Sequence, residues 1–245
     1  MNSPASRPES PSRPDAGAAG GTAVVVAVDG TSGSGKSSTS RGVAARLGLR
    51  YLDTGAMYRA MTWWMLQHGV DVHDATAVAT SAAAPVIVSG TDPEAPTITL
   101  DGADVSTEIR SEVVNANVSP VSAVPEVRER LKGLQRAIIT DALRGAGVVV
   151  EGRDIGSVVW PDAQLKVFLT ADPAARAARR ALEEGGTDAA AVQQSLEARD
   201  RIDSSRAASP LVQADGAVEL DTTPYTLDEV IDRVADLVES VKAGT

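Results

Sequence analysis

The chain's 245 residues suffice for one domain with a small insertion, and 43% hydrophobic content permits a packed core that, with aromatics at 3%, Val, Ala and Leu must fill. A formal charge of -10 opposes a long anionic partner such as a nucleic acid, so an anionic ligand must be small and held where cations are concentrated. The lack of cysteine excludes disulfides, thiolate chemistry and Cys-based zinc sites, and no apolar run reaches membrane-spanning length.

Residues 1–21 are rich in Pro, Ser, Ala and Gly without an apolar core. They predict a disordered tail, neither signal peptide nor helix, ahead of a cytoplasmic domain over 22–245. Ala23–Val28 is a continuous apolar run and predicts a strand buried on both faces. A Gly-rich stretch follows, then a helix over Lys36–Leu47 that Gly48 ends, a short strand over Leu49–Leu52, and a helix from Thr54 towards Gly69. Prolines and the strand-like pieces Val86–Val88 and Thr97–Leu100, with Asp101-Gly102 as a hairpin turn, predict a small antiparallel insertion over about 79–118. Helix resumes over Pro125–Leu143. Strands are predicted at Gly147–Val150, Leu165–Leu169 and Val218–Asp221, with helices at Pro173–Glu184, Ala189–Ile202 and Leu227–Val241 between and after them. Strands alternating with helices imply an α/β fold built on a doubly wound parallel sheet. His68 and His73 flank a turn and lack metal-ligand spacing.

Gly30-Thr31-Ser32-Gly33-Ser34-Gly35-Lys36-Ser37 matches the phosphate-loop pattern G-x-x-x-x-G-K-[ST], with a buried strand before it and a helix after it. Glycines let successive backbone N–H groups converge on one anion, and the helix dipole adds positive potential there. Lys36 can reach the β- and γ-phosphates, and Ser37 can ligate Mg²⁺. Such a loop serves kinases, switches and motors alike, so the second substrate must be found elsewhere. In a doubly wound sheet the strand C-terminal ends face that loop. Thr54 and Arg59, after the second strand, can therefore look into the same crevice, where an Arg suits a second phosphate. Glu151-Gly-Arg153-Asp154 ends another buried strand.

Asp29-Gly30 with its phosphate loop, Leu52-Asp-Thr-Gly-Ala-Met-Tyr-Arg59, Glu151-Gly-Arg-Asp154 and Arg199-Asp-x-x-Asp203-x-x-Arg206 occur in one order and spacing. Together they resemble the bacterial cytidylate kinases, a P-loop NTPase-type family, from about Ala23 to Val241. The resemblance implies that Gly30, Thr31, Ser32, Gly33, Ser34, Gly35, Lys36, Ser37 and Ser38 hold ATP, with Ser37 on the metal. It implies an acceptor site for CMP or dCMP formed by Thr54, Arg59, Ser119, Arg128, Arg153, Asp154, Arg199, Asp203 and Arg206. Arg59 and Arg153 would clamp the phosphate and, with Lys36, act in catalysis; Arg128, Asp154 and Arg206 would read the base; Arg199 and Asp203 would contact the sugar. The insertion corresponds to that family's enlarged monophosphate-binding region. Glu151 stands where the family more often has Asp.

Phosphoryl transfer between two polyanions needs in-line positioning, cancelled repulsion and exclusion of water. A mobile helical lid is therefore expected, with Arg176, Arg179, Arg180 and the stretch to Arg206 as candidates. Asp29 is a candidate partner for a metal-bound water. The expected assembly is a monomer. Two rivals are a P-loop kinase for another nucleotide or small metabolite, against which the antiparallel insertion and the downstream Arg/Asp motif argue, and a nucleotide-binding regulator without an acceptor, which would need no acceptor-side Arg59, Arg153 and Arg206.

Overall fold

A computed structural model describes residues 23–183, 186, 188–205 and 210–244; the tail predicted for 1–21 and Arg206 lie outside them. The elements are β1 (Val24–Gly30), α1 (Lys36–Leu47), β2 (Arg50–Asp53), α2 (Thr54–Gln67), α3 (Ala75–Ser81), β3 (Ile87–Ser89), β4 (Ile98–Leu100), β5 (Ala103–Asp104), α4 (Glu112–Ala123) and α5 (Pro125–Ala142). They continue with β6 (Gly147–Glu151), β7 (Leu165–Thr170), α6 (Pro173–Glu183), α7 (Ala189–Ser205), β8 (Val218–Asp221) and α8 (Leu227–Ala243).

β1 is buried along its whole length because both of its faces are covered. Val24, Val26 and Val28 join Val43 and Ala44 of α1 and Val234 and Val238 of α8 in one apolar cluster. Val25 and Ala27 join Met57 and Met61 of α2 and Leu131 and Ile139 of α5 in the other. An all-apolar strand can only be satisfied this way, sandwiched between two helical layers. The sheet runs β2-β6-β1-β7-β8 with every pairing parallel, the doubly wound arrangement expected. The chain leaves β1 to form β2 two places away, and β6 later fills the gap while β7 pairs on the other side. The C-terminal ends of β1, β2 and β6 thus share one crevice at the point where the winding reverses. At its mouth Gly30 has φ 144°, and a Cβ there would meet the Leu169 carbonyl oxygen at 2.1 Å, so only glycine fits.

The insertion forms a separate antiparallel sheet, β3-β4-β5. Asp101 (φ 51°) and Gly102 (φ 87°) make the predicted two-residue turn, both left-handed, the twist that suits a tight hairpin. Two helices flank it that the sequence reading did not foresee. α3 is seven residues long and is capped by the Asp74 carboxylate, which accepts from the N–H groups of Thr76 and Ala77. α4 contains adjacent valines, Asn115, Asn117 and an internal Pro120, all poor helix formers. It forms because Val114, Val118 and Val121 bury one face, and such tertiary burial outweighs propensity. Among the described residues no helix is long and apolar enough to cross a membrane.

Candidate active site

The phosphate loop turns into α1 through Gly35, which caps the helix in the left-handed conformation (φ 88°). This aims the positive end of the helix at the crevice. Ser32, Gly33, Gly35, Lys36, Ser37 and Ser38 line the cleft. Thr31 and Ser34 brace it from behind: Thr31 N–H reaches Leu169 O at 3.3 Å, and Ser34 Oγ donates to Thr31 O at 2.9 Å. Lys36 Nζ donates to Thr31 O at 2.6 Å. Ser37 Oγ donates to Glu151 Oε2 at 2.9 Å, and Glu151 Oε1 accepts from the Tyr51 hydroxyl at 2.5 Å.

On the acceptor side, Thr54 is buried at the start of α2 and donates to the Glu151 carbonyl at 2.6 Å. Arg59, about one and a half turns further, donates to Ile109 O at 3.3 Å and to the Asn115 side chain. Arg153 spans both halves of the cleft. It donates to Gly30 O at 3.1 Å and Ser32 Oγ at 2.6 Å and forms an ion pair with the buried Asp203. Arg128 and Asp154 pair at 2.5 Å with side chains 9% and 8% exposed, and Arg128 also donates to Ser122 O at 3.0 Å. The guanidinium lies 5.5 Å from the centre of the Tyr58 ring, a cation–π contact. Thr54, Arg59, Arg128, Arg153, Asp154, Arg199 and Asp203 therefore line one cleft with the phosphate loop. Ser119 is buried on α4; its neighbours Val118 and Ser122 line the cleft and Ser119 does not. Arg206 lies outside the described residues.

Positive charge is in excess here. Lys36 and six arginines line the cleft, adding Arg110 and Arg180 to those named, against the carboxyl groups of Asp53, Glu151, Asp154 and Asp203. The crowding shifts their protonation. Burial, with Arg153 beside it, pushes the Lys36 ammonium well below the usual lysine range. Burial lowers Arg59 to about 10 and Arg199 to about 9, and in both cases Arg153 adds repulsion. Burial, with Asp53 nearby, pushes the Glu151 carboxyl up. Cations desolvated against one another are the electrostatic complement of a bound polyanion.

Asp29, the candidate partner for a metal-bound water, is engaged by the turn after β6 instead. Its two oxygens accept from Ile155 N–H and Gly156 N–H, both at 2.8 Å, so it pins the turn that carries Arg153 and Asp154. The lid candidates divide. Arg180 lines the cleft, whereas Arg179 grips Thr222 through its hydroxyl (2.8 Å) and carbonyl (2.7 Å). Arg176 donates to Ser32 O at 2.9 Å and to Asp200, whose other oxygen accepts from Ser32 N–H at 2.9 Å. Helices α6 and α7 are thereby clasped onto the phosphate loop at Ser32. Tyr51, Asp200 and Thr222 were not foreseen as part of this framework. The available signals were a polar-tipped Tyr in a buried strand, which must find a partner, and an Asp inside the Arg199–Asp203 motif.

Among the described residues no group of three or more His, Asp or Glu could hold a metal by itself. A hydroxyl backed by a carboxylate instead fits the way Mg²⁺ is bound, through one or two hard oxygen ligands and the phosphates of a nucleotide. The sequence profile described as cytidylate kinase matches residues 26–240. A cytidylate kinase of Streptomyces griseus subsp. griseus is 61% identical over 223 residues, covering 91% of this chain and 96% of its own length. Those of Streptomyces avermitilis (59% identity, 91% and 95% covered) and Nocardia farcinica (52%, 91% and 97%) are similar over comparable shares of their length. With its motifs converging on one cleft and relatives matching at this level over about nine-tenths of its length, the chain belongs to the cytidylate kinase family.

Proposed function

We infer that this chain transfers the γ-phosphoryl of ATP to CMP or dCMP, giving CDP or dCDP and ADP. The observation that carries the reading is the cationic cleft itself. It runs from a phosphate loop to a second set of arginines and ends at a buried Arg128–Asp154 pair. A regulator that only bound a nucleotide would need no second phosphate clamp, and a kinase for a small metabolite would need no buried ion pair facing a base.

Catalysis by this arrangement is electrostatic and positional, with no covalent intermediate. The backbone N–H groups of Gly33 to Ser38 and the Lys36 ammonium hold the donor phosphates. Bound polyphosphate also adds negative charge beside Lys36, against the burial and the Arg153 repulsion that lower its ammonium. Ser37 would hold Mg²⁺, with Glu151 behind it, and the bound ion would neutralise charge on the donor phosphates. Arg59 and Arg153 clamp the acceptor phosphate. Because Arg153 also touches Gly30 and Ser32, it sets the distance between the two substrates. Arg128 and Asp154, with Arg206, read the base, and Arg199 and Asp203 meet the sugar. Arg180 and the α6–α7 clasp supply the cover that keeps water from the γ-phosphoryl. All of these groups come from one chain, so a monomer working in the cytoplasm suffices.

A coupled ADP assay across AMP, CMP, UMP, GMP and their deoxy forms tests the reading. CMP and dCMP should run well ahead of UMP, with the purines poor. ADP formation that ignores added CMP would leave only the regulator or the metabolite kinase.

A further inference from the structure

Tyr51 lies on β2 opposite Val149 of β6, and Glu151 stands two residues further along the same face. Two strand residues span about 6.6 Å, which is the reach of a phenol. The Tyr51 hydroxyl therefore arrives at Glu151 Oε1, at 2.5 Å, in a setting where Tyr51 is 2% and Glu151 4% exposed. The other oxygen, Oε2, accepts the hydroxyl proton of Ser37 at 2.9 Å. A serine that ligates a cation must turn its lone pairs to the ion and its proton away, and Glu151 is where that proton goes. A glutamate has one more rotatable bond than an aspartate, so holding Oε2 in one place takes a second anchor.

We propose that Tyr51 is a positioning residue for the donor's metal: its phenol fixes the Glu151 carboxylate, and through it the lone pairs of Ser37. Tyr51 touches neither substrate. Its role rests on the kinase reading above, but it can be measured without turnover. Burial and the adjoining carboxylate push the phenol's pKa up, so it stays a donor across the working range. Packing alone would be served by phenylalanine, which separates the two roles.

The test is calorimetric binding of ADP to the full chain, once with Mg²⁺ and once with EDTA. Tyr51→Phe should weaken ADP binding about tenfold with Mg²⁺ and leave it within twofold in EDTA, as for other groups that orient a metal ligand from behind. Equal weakening in both conditions would mean that Tyr51 only supports the loop's packing, and unchanged binding in both would mean that Glu151 needs no anchor; either overturns the proposal. Glu151→Gln, which cannot accept from both hydroxyls, gives a second measurement. It should lose Mg²⁺-dependent affinity at least as strongly, and adding Tyr51→Phe to it should cost little more. Fully additive losses would overturn the proposal too. The kinase reading fails separately, if wild-type turnover does not depend on CMP.

Discussion

Replacing Asp154 by Asn should move stability and base choice together, and by different amounts. Asp154 and Arg128 are both under a tenth exposed and share one hydrogen bond of 2.5 Å. Removing one partner of such a pair strands the other charge, at about 3–5 kcal/mol. Asn keeps the volume and one acceptor oxygen, which the Arg128 N–H groups orient towards themselves, so only the charge assistance is lost, about 1–2 kcal/mol. For a chain of this size that corresponds to about 2–8 °C in Tm, against about 6–20 °C for Asp154→Ala. The oriented carboxamide then presents its NH₂ where the wild type presents an oxygen. Cytosine offers an amino donor at that edge and uracil a carbonyl acceptor. The variant should therefore lose about ten- to a hundredfold in kcat/KM for CMP while UMP holds or improves. Scanning calorimetry and the coupled assay on the same samples read both effects. If Tm falls while the CMP-to-UMP ratio stays within twofold of wild type, Asp154 is only a counter-ion for Arg128 and something else reads the base.

Lys36→Ala removes the ammonium aimed at the transferring phosphoryl; a folded variant should lose about a hundredfold or more in kcat, and an unchanged kcat would sink the electrostatic mechanism. Asp203→Ala should raise KM for CMP about tenfold and leave KM for ATP within threefold. A matching rise for ATP would show that Asp203 acts through its ion pair with Arg153 on the phosphate loop instead. Asp29 is pushed by burial from 3.8 to about 6. The fold therefore favours its protonated form, and its contribution to stability is full below about pH 4 and lost as pH rises through about 6. That amounts to about 3 kcal/mol over the window. The difference in unfolding free energy between wild type and Asp29→Asn should fall accordingly from pH 4 to 7, and a flat difference would refute the shift.

What could be read in advance depends on how far along the chain the deciding force acts. The valines of β1, the glycines before Lys36 and the Asp101-Gly102 turn are decided within a few residues: two buried faces, a backbone curled round an anion, two positive φ angles. Such demands leave few residue types standing, so they show in the sequence. α4 does not, because its valines are helical only once Val114, Val118 and Val121 have something to bury against. Asp29 next to a phosphate loop looked like a metal partner until the turn after β6, 126 residues on, was seen to occupy both its oxygens. The link from Tyr51 to Glu151 crosses 100 residues and exists only in the register that sets Tyr51 against Val149. A slip of one residue would put the phenol on the other face of the sheet. The cleft's cations were legible as types, because Lys and Arg are the side chains that bring permanent positive charge to a phosphate. Their partners, among them Asn115 for Arg59 and Asp200 for Arg176, were not, because a partner is a property of strand order and helix docking. A search by residue type therefore finds the groups that meet the substrate and passes over those that aim them, which is why the positioning role argued for Tyr51 had to wait for the paired strands.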